Sequence, residues 1–476
     1  MNNRNKTLSI VLVIIAIAYS IFFASLPLRE FSKNIYDIGC FFVIVSTLAL
    51  VVHSQKSSLR GKWLKPSNIF FLAYLCVNFQ FITDYRLGLK NNMSLYILFP
   101  NVLNHCFILG VVGLLSFVAG YLFLEDKERN SKQEFKVPIN FIRISTILQV
   151  IVFVVFILTI DIQSFLTGED YGNDAKPYSH VEKLLTAINA VVVVFVSMYD
   201  EHYDSVKSYV NAYPLVSRIV FVLYVLLRLF SGDRGPVMYT AFLLFYGFSF
   251  ATRKKLNVWL MAAIFAVGVT IITLGGIARH LDSSLGYFER MSEAQDIFSA
   301  HGRFSESSVS PLTEELGFSV VVNETDIHAI YVDGASFHPW TYLFISLFGG
   351  IPLMPGLIKN LFHLSSLDFS STGFANHYFF GEEVSDWSIG TTLIGDFYVQ
   401  FDVWGVLIGL FLTGLLFKWL DCLIYVRKKA SISFAALLLA ILYSSKSIYL
   451  PRSLLLGEFS YFILGVILIC VLRAMR

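Results

Sequence analysis

Arg234 stands in the run Ser231-Gly-Asp-Arg-Gly-Pro236, a turn with no room for a loop between the two apolar stretches that flank it. A guanidinium held there lies close to a membrane surface. Its planar fork suits the oxygens of a phosphate or diphosphate, to which it donates two parallel hydrogen bonds. Snorkelling at a helix end accounts for Arg228 and Arg234 without any ligand. Further along, Gly275 opens a polar stretch with Arg279, His280 and Arg290. His301, Arg303 and then Thr313-Glu-Glu-Leu-Gly-Phe-Ser319, which contains Glu315, follow it. Arginine, imidazole and carboxylate groups together fit a transferase that grips a diphosphate leaving group and takes a proton from an attacking hydroxyl. A solvated loop carries the same residue types, and that plainer reading holds for any one histidine or glutamate taken alone.

His377, in Ala375-Asn-His-Tyr-Phe379, precedes Glu382, Glu383 and Asp386 and is a second candidate base beside Glu315. Arg452, after Pro451, matches Arg234 in depth, and Lys446 lies inside an apolar run where a charge needs a partner or a polar cavity. Together these two cations suggest a positive floor beneath the polar stretch. No metal is expected, because His-Glu-x-x-His, Cys-x-x-Cys and paired aspartates at nucleotide-sugar spacing are all missing. No cofactor is expected either, since no glycine-rich phosphate loop occurs. The five cysteines, Cys40, Cys76, Cys106, Cys422 and Cys470, lie in or beside apolar runs and read as packing residues.

These residues have to be positioned by membrane helices. With 56% hydrophobic and only 15% charged residues, the chain departs from a water-soluble domain, in which about a quarter are charged. Apolar runs of roughly 17 to 23 residues recur along it, each long enough to cross a hydrocarbon layer about 30 Å thick. They lie near 8–27, 36–53, 67–84, 105–124, 144–161, 183–199, 214–230, 236–251, 257–277, 403–426, 431–449 and 455–474. The expectation is an all-α polytopic membrane protein of about twelve helices, since a strand barrel shows short alternating segments instead. The net charge of +2 gives no reason to expect nucleic acid.

Basic residues gather at Lys56 to Lys65, Lys127 to Lys136, Arg253 to Lys255 and Arg427 to Lys429. The positive-inside rule places these four loops in the cytoplasm. Helix parity then puts both termini inside and residues 278–402 outside, in one large late loop. The chain divides accordingly into 1–277 with nine helices, the loop 278–402, and 403–476 with three. Within the loop, 338–358 is apolar but broken by Gly349, Gly350, Pro352 and Pro355. It reads as a re-entrant or interfacial segment. Pairing it with a crossing near 388–402 gives the alternative of about fourteen helices.

Taken in order, Gly-Asp-Arg-Gly at an outer turn, Thr313 to Ser319, Asp333-Gly-Ala-Ser-Phe337 and Ile394 to Gly405 resemble the Wzy-type O-antigen or oligosaccharide repeat-unit polymerases. The likeness covers most of 220–460, and the first two hundred residues share only hydropathy with the family. It implies a metal-independent glycosyltransferase of GT-C-like helical fold in the bacterial inner membrane. Such an enzyme joins undecaprenyl-diphosphate-linked oligosaccharides on the periplasmic face. On this resemblance Arg234, Arg279, Arg303 and Arg452 bind diphosphate or glycan, and His377 or Glu315 is the base. The partners are that lipid-linked oligosaccharide and membrane lipid, with room for a polysaccharide chain-length regulator. An O-antigen ligase shares the helix count, outer loop and donor. A lipid-linked-oligosaccharide flippase shares the helices but has no need of so long an outer polar block.

Overall fold

A computed structural model describes residues 2–56, 59, 61–88, 97–125, 137–162, 165, 177–199, 203–231, 234–252, 274, 281, 289–290, 292–296, 319–348, 354–361, 370–381, 389–426 and 432–474. Among them no strand forms and helix dominates. This is the outcome demanded where backbone groups have only one another to bond with. Seven helical stretches are long and apolar enough to cross a bilayer: Asn5–Ser25, Lys33–His53, Pro100–Phe123, Ile139–Thr159, Tyr178–Tyr199, Leu393–Tyr425 and Leu455–Ala474. The expected spans near 67–84, 214–230, 236–251 and 431–449 are also helical, but shorter or less apolar than these. The expected span 257–277 lies outside the described residues except for position 274.

The chain separates into two compact units, each assembled from stretches far apart in sequence. The first takes Met1–Lys127, Thr313–Cys422 and Ser447–Gly457. Its helices are α1 (Asn2–Ser25), α2 (Lys33–Lys56), α3 (Pro66–Leu87), α4 (Leu103–Phe123), α10 (Val320–Tyr331), α11 (Thr341–Phe348), α12 (Met354–Leu361), α13 (Ser371–Phe380) and most of α14 (Leu393–Tyr425). The second takes Glu128–Leu312, Leu423–Lys446 and Glu458–Arg476. It holds α5 (Ile139–Thr159), α6 (Pro177–Tyr199), α7 (Val206–Asn211), α8 (Leu215–Phe230), α9 (Arg234–Thr252), α15 (Phe434–Ser445) and α16 (Phe459–Ala474).

Helix α4 is apolar on every side, so it has no face for water, and all residues from Leu103 to Leu122 are buried. It packs on α1, α2, α3 and α10 at the centre of the first unit. The α1 helix shows the complementary pattern. Leu12, Ala16, Ser20 and Phe23 are buried at helical spacing, while Ile10, Ile14, Ile17 and Ile21 form an exposed stripe. That stripe would be a liability in water and is the ordinary surface of a helix facing lipid. Helices α4 and α14 meet through glycine. A methyl group at Gly120 would strike the Phe411 carbonyl oxygen, and one at Gly414 the Phe117 carbonyl oxygen. Small residues at such a crossing let the backbones approach closely, and this van der Waals contact replaces the hydrophobic effect that lipid removes.

In the second unit, Arg228 on α8 donates from Nε to Glu182 Oε1 on α6 at 2.7 Å, and its Nη2 pairs with Glu182 Oε2. The guanidinium also lies over the Phe165 ring, 4.9 Å from its centroid. Lys446 pairs with Glu458 at 3.3 Å and sits over Tyr239 at 4.7 Å. Both cations are therefore engaged with carboxylates of their own unit. For Lys446 this pairing satisfies the charge that the suggested positive floor relied on.

The first unit contains a buried ionic network. Lys65 and Asp421 are both buried, 3.7 Å apart, and Tyr121 joins them, accepting from Lys65 at 2.7 Å and donating to Asp421 at 2.8 Å. Ser67 donates to the same carboxylate at 2.6 Å, and Lys418 lies 3.0 Å from His53. Removing one member of a buried pair leaves the other charge uncompensated, at about 3–5 kcal/mol. Asp421→Ala is therefore expected to lower the thermal unfolding midpoint of the protein in detergent markedly, and Asp421→Asn to lower it less. Equal melting of Asp421→Ala and the parent would remove the network from the stabilising interactions.

Candidate functional site

Helix α10 carries the sequence Asn323-Glu-Thr-Asp326, which is polar yet wholly buried. The flanking Val320, Val321, Val322 and Ile327 are buried too, so the helix is immersed on nearly every side. Asn323 donates to Asn78 Oδ1 of α3 at 3.1 Å, and the Thr392 hydroxyl donates to Asn323 Oδ1. Thr392 Oγ1 in turn accepts from Gly395 N–H at 2.8 Å, capping the start of α14. Glu324 Oε2 accepts from the backbone N–H groups of Leu98 and Phe99 at 2.9 and 3.1 Å, and Oε1 has no partner. The Phe99 ring stacks on His328, 3.9 Å between centroids, fastening the same segment to the next turn of α10.

Asp326 is fully buried, and among the described residues neither of its carboxyl oxygens has a hydrogen-bond partner. It lies against Gly395, where a methyl group would collide with its Oδ2. The Gly of the Ile394-Gly-Asp motif is thus a space for a carboxyl group. Burial pushes the Asp326 carboxyl well above the usual carboxylate range, and neighbouring Asp396 adds to the rise. Burial also raises Glu324 to about 8, against the opposing pull of the two backbone N–H groups. Glu324 therefore holds its proton over most of the physiological range and is able to donate a hydrogen bond. Asp396 is engaged by Gln400 Nε2 at 3.2 Å, and Gln400 Oε1 accepts from Leu343 N–H at 2.9 Å.

Helix α14 is not continuous through this region. Its backbone breaks at Phe401 and Asp402, and Asp402 takes φ +57°, in the left-handed region. Asp402 Oδ1 caps the helix beyond, accepting from Val403 N–H at 2.7 Å. Over 338–358 the described residues form α11 and α12, eight residues each and packed together. At 1.5 Å per residue each is about 12 Å long, well short of a hydrocarbon crossing of about 30 Å.

Of the residues expected to carry chemistry, His377 lies on α13 with its imidazole exposed, edge-on to Tyr378 at 5.1 Å. Arg452 occupies a 3-10 turn, Leu450–Arg452, that packs on α3, and its side chain is partly buried. Both belong to the first unit. Arg234 opens α9 in the second unit, and its side chain lies outside the described residues. Arg279, Arg303 and Glu315 also lie outside them, as do Glu382, Glu383 and Asp386. Among the described residues, no group of three or more histidine, cysteine or acidic side chains forms a metal site.

Nothing along the chain marks Asn323, Glu324 and Asp326 for burial, because four consecutive polar residues look the same in a solvated loop. The available signal was the three valines before them, too short a run to distinguish a buried helix from a loop. Since Glu324 is favoured neutral inside and ionises in the unfolded chain, its contribution to stability is expected to fall as pH rises from about 4.5 to about 8, by at most about 1 kcal/mol per pH unit. Glu324→Gln is expected to flatten that decline in melting midpoint against pH. An unchanged slope would mean Glu324 does not titrate there.

Residues 7–475, nearly the whole chain, match the family model described as O-antigen polysaccharide polymerase Wzy. No curated protein and no solved structure matches the chain.

Proposed function

This chain belongs to the Wzy family of O-antigen polysaccharide polymerases, and on that premise we propose how its residues join lipid-linked repeat units. It is an O-antigen repeat-unit polymerase and a multi-pass membrane protein. The family match over 7–475 carries this reading. In our reading the protein sits in the inner membrane with both termini in the cytoplasm and 278–402 on the periplasmic face, supported by the four basic loops. Its donor and acceptor are oligosaccharides on undecaprenyl diphosphate. A chain-length regulator is a compatible partner.

In the transfer, the bond between the donor glycan's anomeric carbon and the lipid diphosphate breaks, leaving its electron pair on the diphosphate oxygen. A hydroxyl oxygen of the acceptor's terminal sugar forms the new bond to that carbon and gives its proton to a base. Arg234, Arg279, Arg303 and Arg452 are the cations we assign to the departing charge, Arg234 foremost, without a metal ion. His377 is our first choice for the base, supported by its exposed imidazole, and Glu315 is the second.

In a deletion strain carrying Arg234→Ala, long O-antigen chains should fall by roughly 100-fold, leaving single repeat units capped on lipid. A normal chain-length distribution would remove Arg234 from the leaving-group role. Orientation is tested separately with Ser365→Cys in a variant whose five native cysteines are replaced. An impermeant thiol reagent is expected to label it from the periplasmic side of intact cells. Protection from outside with labelling from within would invert the assigned topology.

A further inference from the structure

Among the described residues, only two other than glycine have positive φ, Trp340 at +69° and Asp402 at +57°, and the ring that Trp340 meets belongs to the residue before Asp402. The Trp340 indole meets the Phe401 ring edge-on at 4.9 Å, and Phe401 directly precedes Asp402. Left-handed backbone costs a bulky residue about 1–3 kcal/mol and persists only where surrounding structure enforces it. That enforcement is visible on both sides of Trp340. His338 N–H donates to Val399 O at 3.0 Å, and Leu343 N–H donates to Gln400 Oε1 at 2.9 Å. The segment is thus bolted to α14 immediately before its break.

All this structure holds the indole outward, because Trp340 is 57% exposed. The Asp402 carboxylate, half-buried, spends Oδ1 on capping Val403 and leaves Oδ2 without a hydrogen bond among the described residues. Burial pushes the hydroxyl of Tyr331, at the end of α10, up to about 12, and the Asp402 carboxylate adds to the rise. A rigid exposed aromatic face with a carboxylate acceptor one residue beyond its ring contact has a particular complement. The axial C–H bonds of a pyranose form an apolar, weakly positive patch that suits the negative face of an aromatic ring, while its hydroxyls need strong acceptors. A tryptophan that merely anchors the protein in the lipid interface needs neither a strained backbone nor an adjacent carboxylate.

We propose that Trp340 and Asp402 form a sugar-binding subsite in which one pyranose ring of the lipid-linked repeat unit stacks on the indole and donates a hydroxyl to the carboxylate. The proposal rests on the polymerase reading and adds a place where the glycan, as distinct from its diphosphate, is held. Losing such a stacked contact is read as a change of up to roughly tenfold in affinity.

The test uses the full-length protein in lipid nanodiscs. One readout is polymerisation of lipid-linked repeat units purified from the host. The other is tryptophan emission on titration with the repeat-unit oligosaccharide released from its lipid by mild acid. Trp340→Leu is expected to raise KM for the lipid-linked unit by roughly five- to tenfold with kcat within about twofold. Trp340→Phe, which keeps a ring, should lie between, and Asp402→Asn, which tolerates the left-handed backbone, should also raise KM. The oligosaccharide should change the emission of the parent saturably and that of Trp340→Phe little. Parent-like KM in Trp340→Leu, with no emission change in the parent, would overturn the subsite and leave Trp340 as a lipid anchor. If a substituted protein does not fold, the emission titration of the parent decides alone. A parent that binds the oligosaccharide but does not polymerise would count against the polymerase reading and not against the subsite.

Discussion

Hydrocarbon offers no hydrogen-bonding partner, so a chain that is 56% hydrophobic must satisfy its backbone within helices and its charges within pairs. The helices follow from the first requirement, and the placement of Lys65, Asp421, Arg228, Glu182, Lys446 and Glu458 from the second. Each of these side chains reaches an opposite charge in its own unit. The same rule explains the glycines at the contact of α4 and α14. Without water to drive helices together, close contact between backbones does so, and Gly120 and Gly414 permit it.

Against this background Asp326 and Glu324 stand out. They are buried as deeply as Lys65 and Asp421, yet among the described residues Asp326 has no hydrogen-bond partner and Glu324 has backbone N–H groups only. Burial answers the cost by raising both carboxyl groups above the usual carboxylate range, so that the proton is held more tightly where no opposite charge is at hand. This polar cluster is a structural junction. It holds together α3, the Leu98–Phe99 segment, α10 and the start of α14. These are the elements that present the broken turn at Asp402 and, through Gln400 and Val399, the segment carrying Trp340.

Polymerisation of lipid-linked glycans sets two different binding problems. A diphosphate is small and highly charged, and arginine at a membrane surface answers it. A sugar ring is neutral and amphipathic, and an aromatic face with a nearby carboxylate answers that.

The helical membrane class, the basic loops and the family resemblance were all legible along the chain. They rest on local composition and on the order of short motifs such as Gly-Asp-Arg-Gly and Ile394 to Gly405. Which stretches form one compact unit was not legible, because Met1–Lys127 and Thr313–Cys422 come together only by packing. Nor could the burial of Asn323 to Asp326 be read, since polarity looks alike in a loop and in a helix enclosed by others. Gly395 was visible as a motif residue, but its purpose appears only when Asp326 lies against it. Trp340 passed as one more aromatic in an apolar stretch. Its exposure and left-handed backbone are set by Val399 and Gln400, about sixty residues away in the chain, through hydrogen bonds that exist only once the tertiary fold is made.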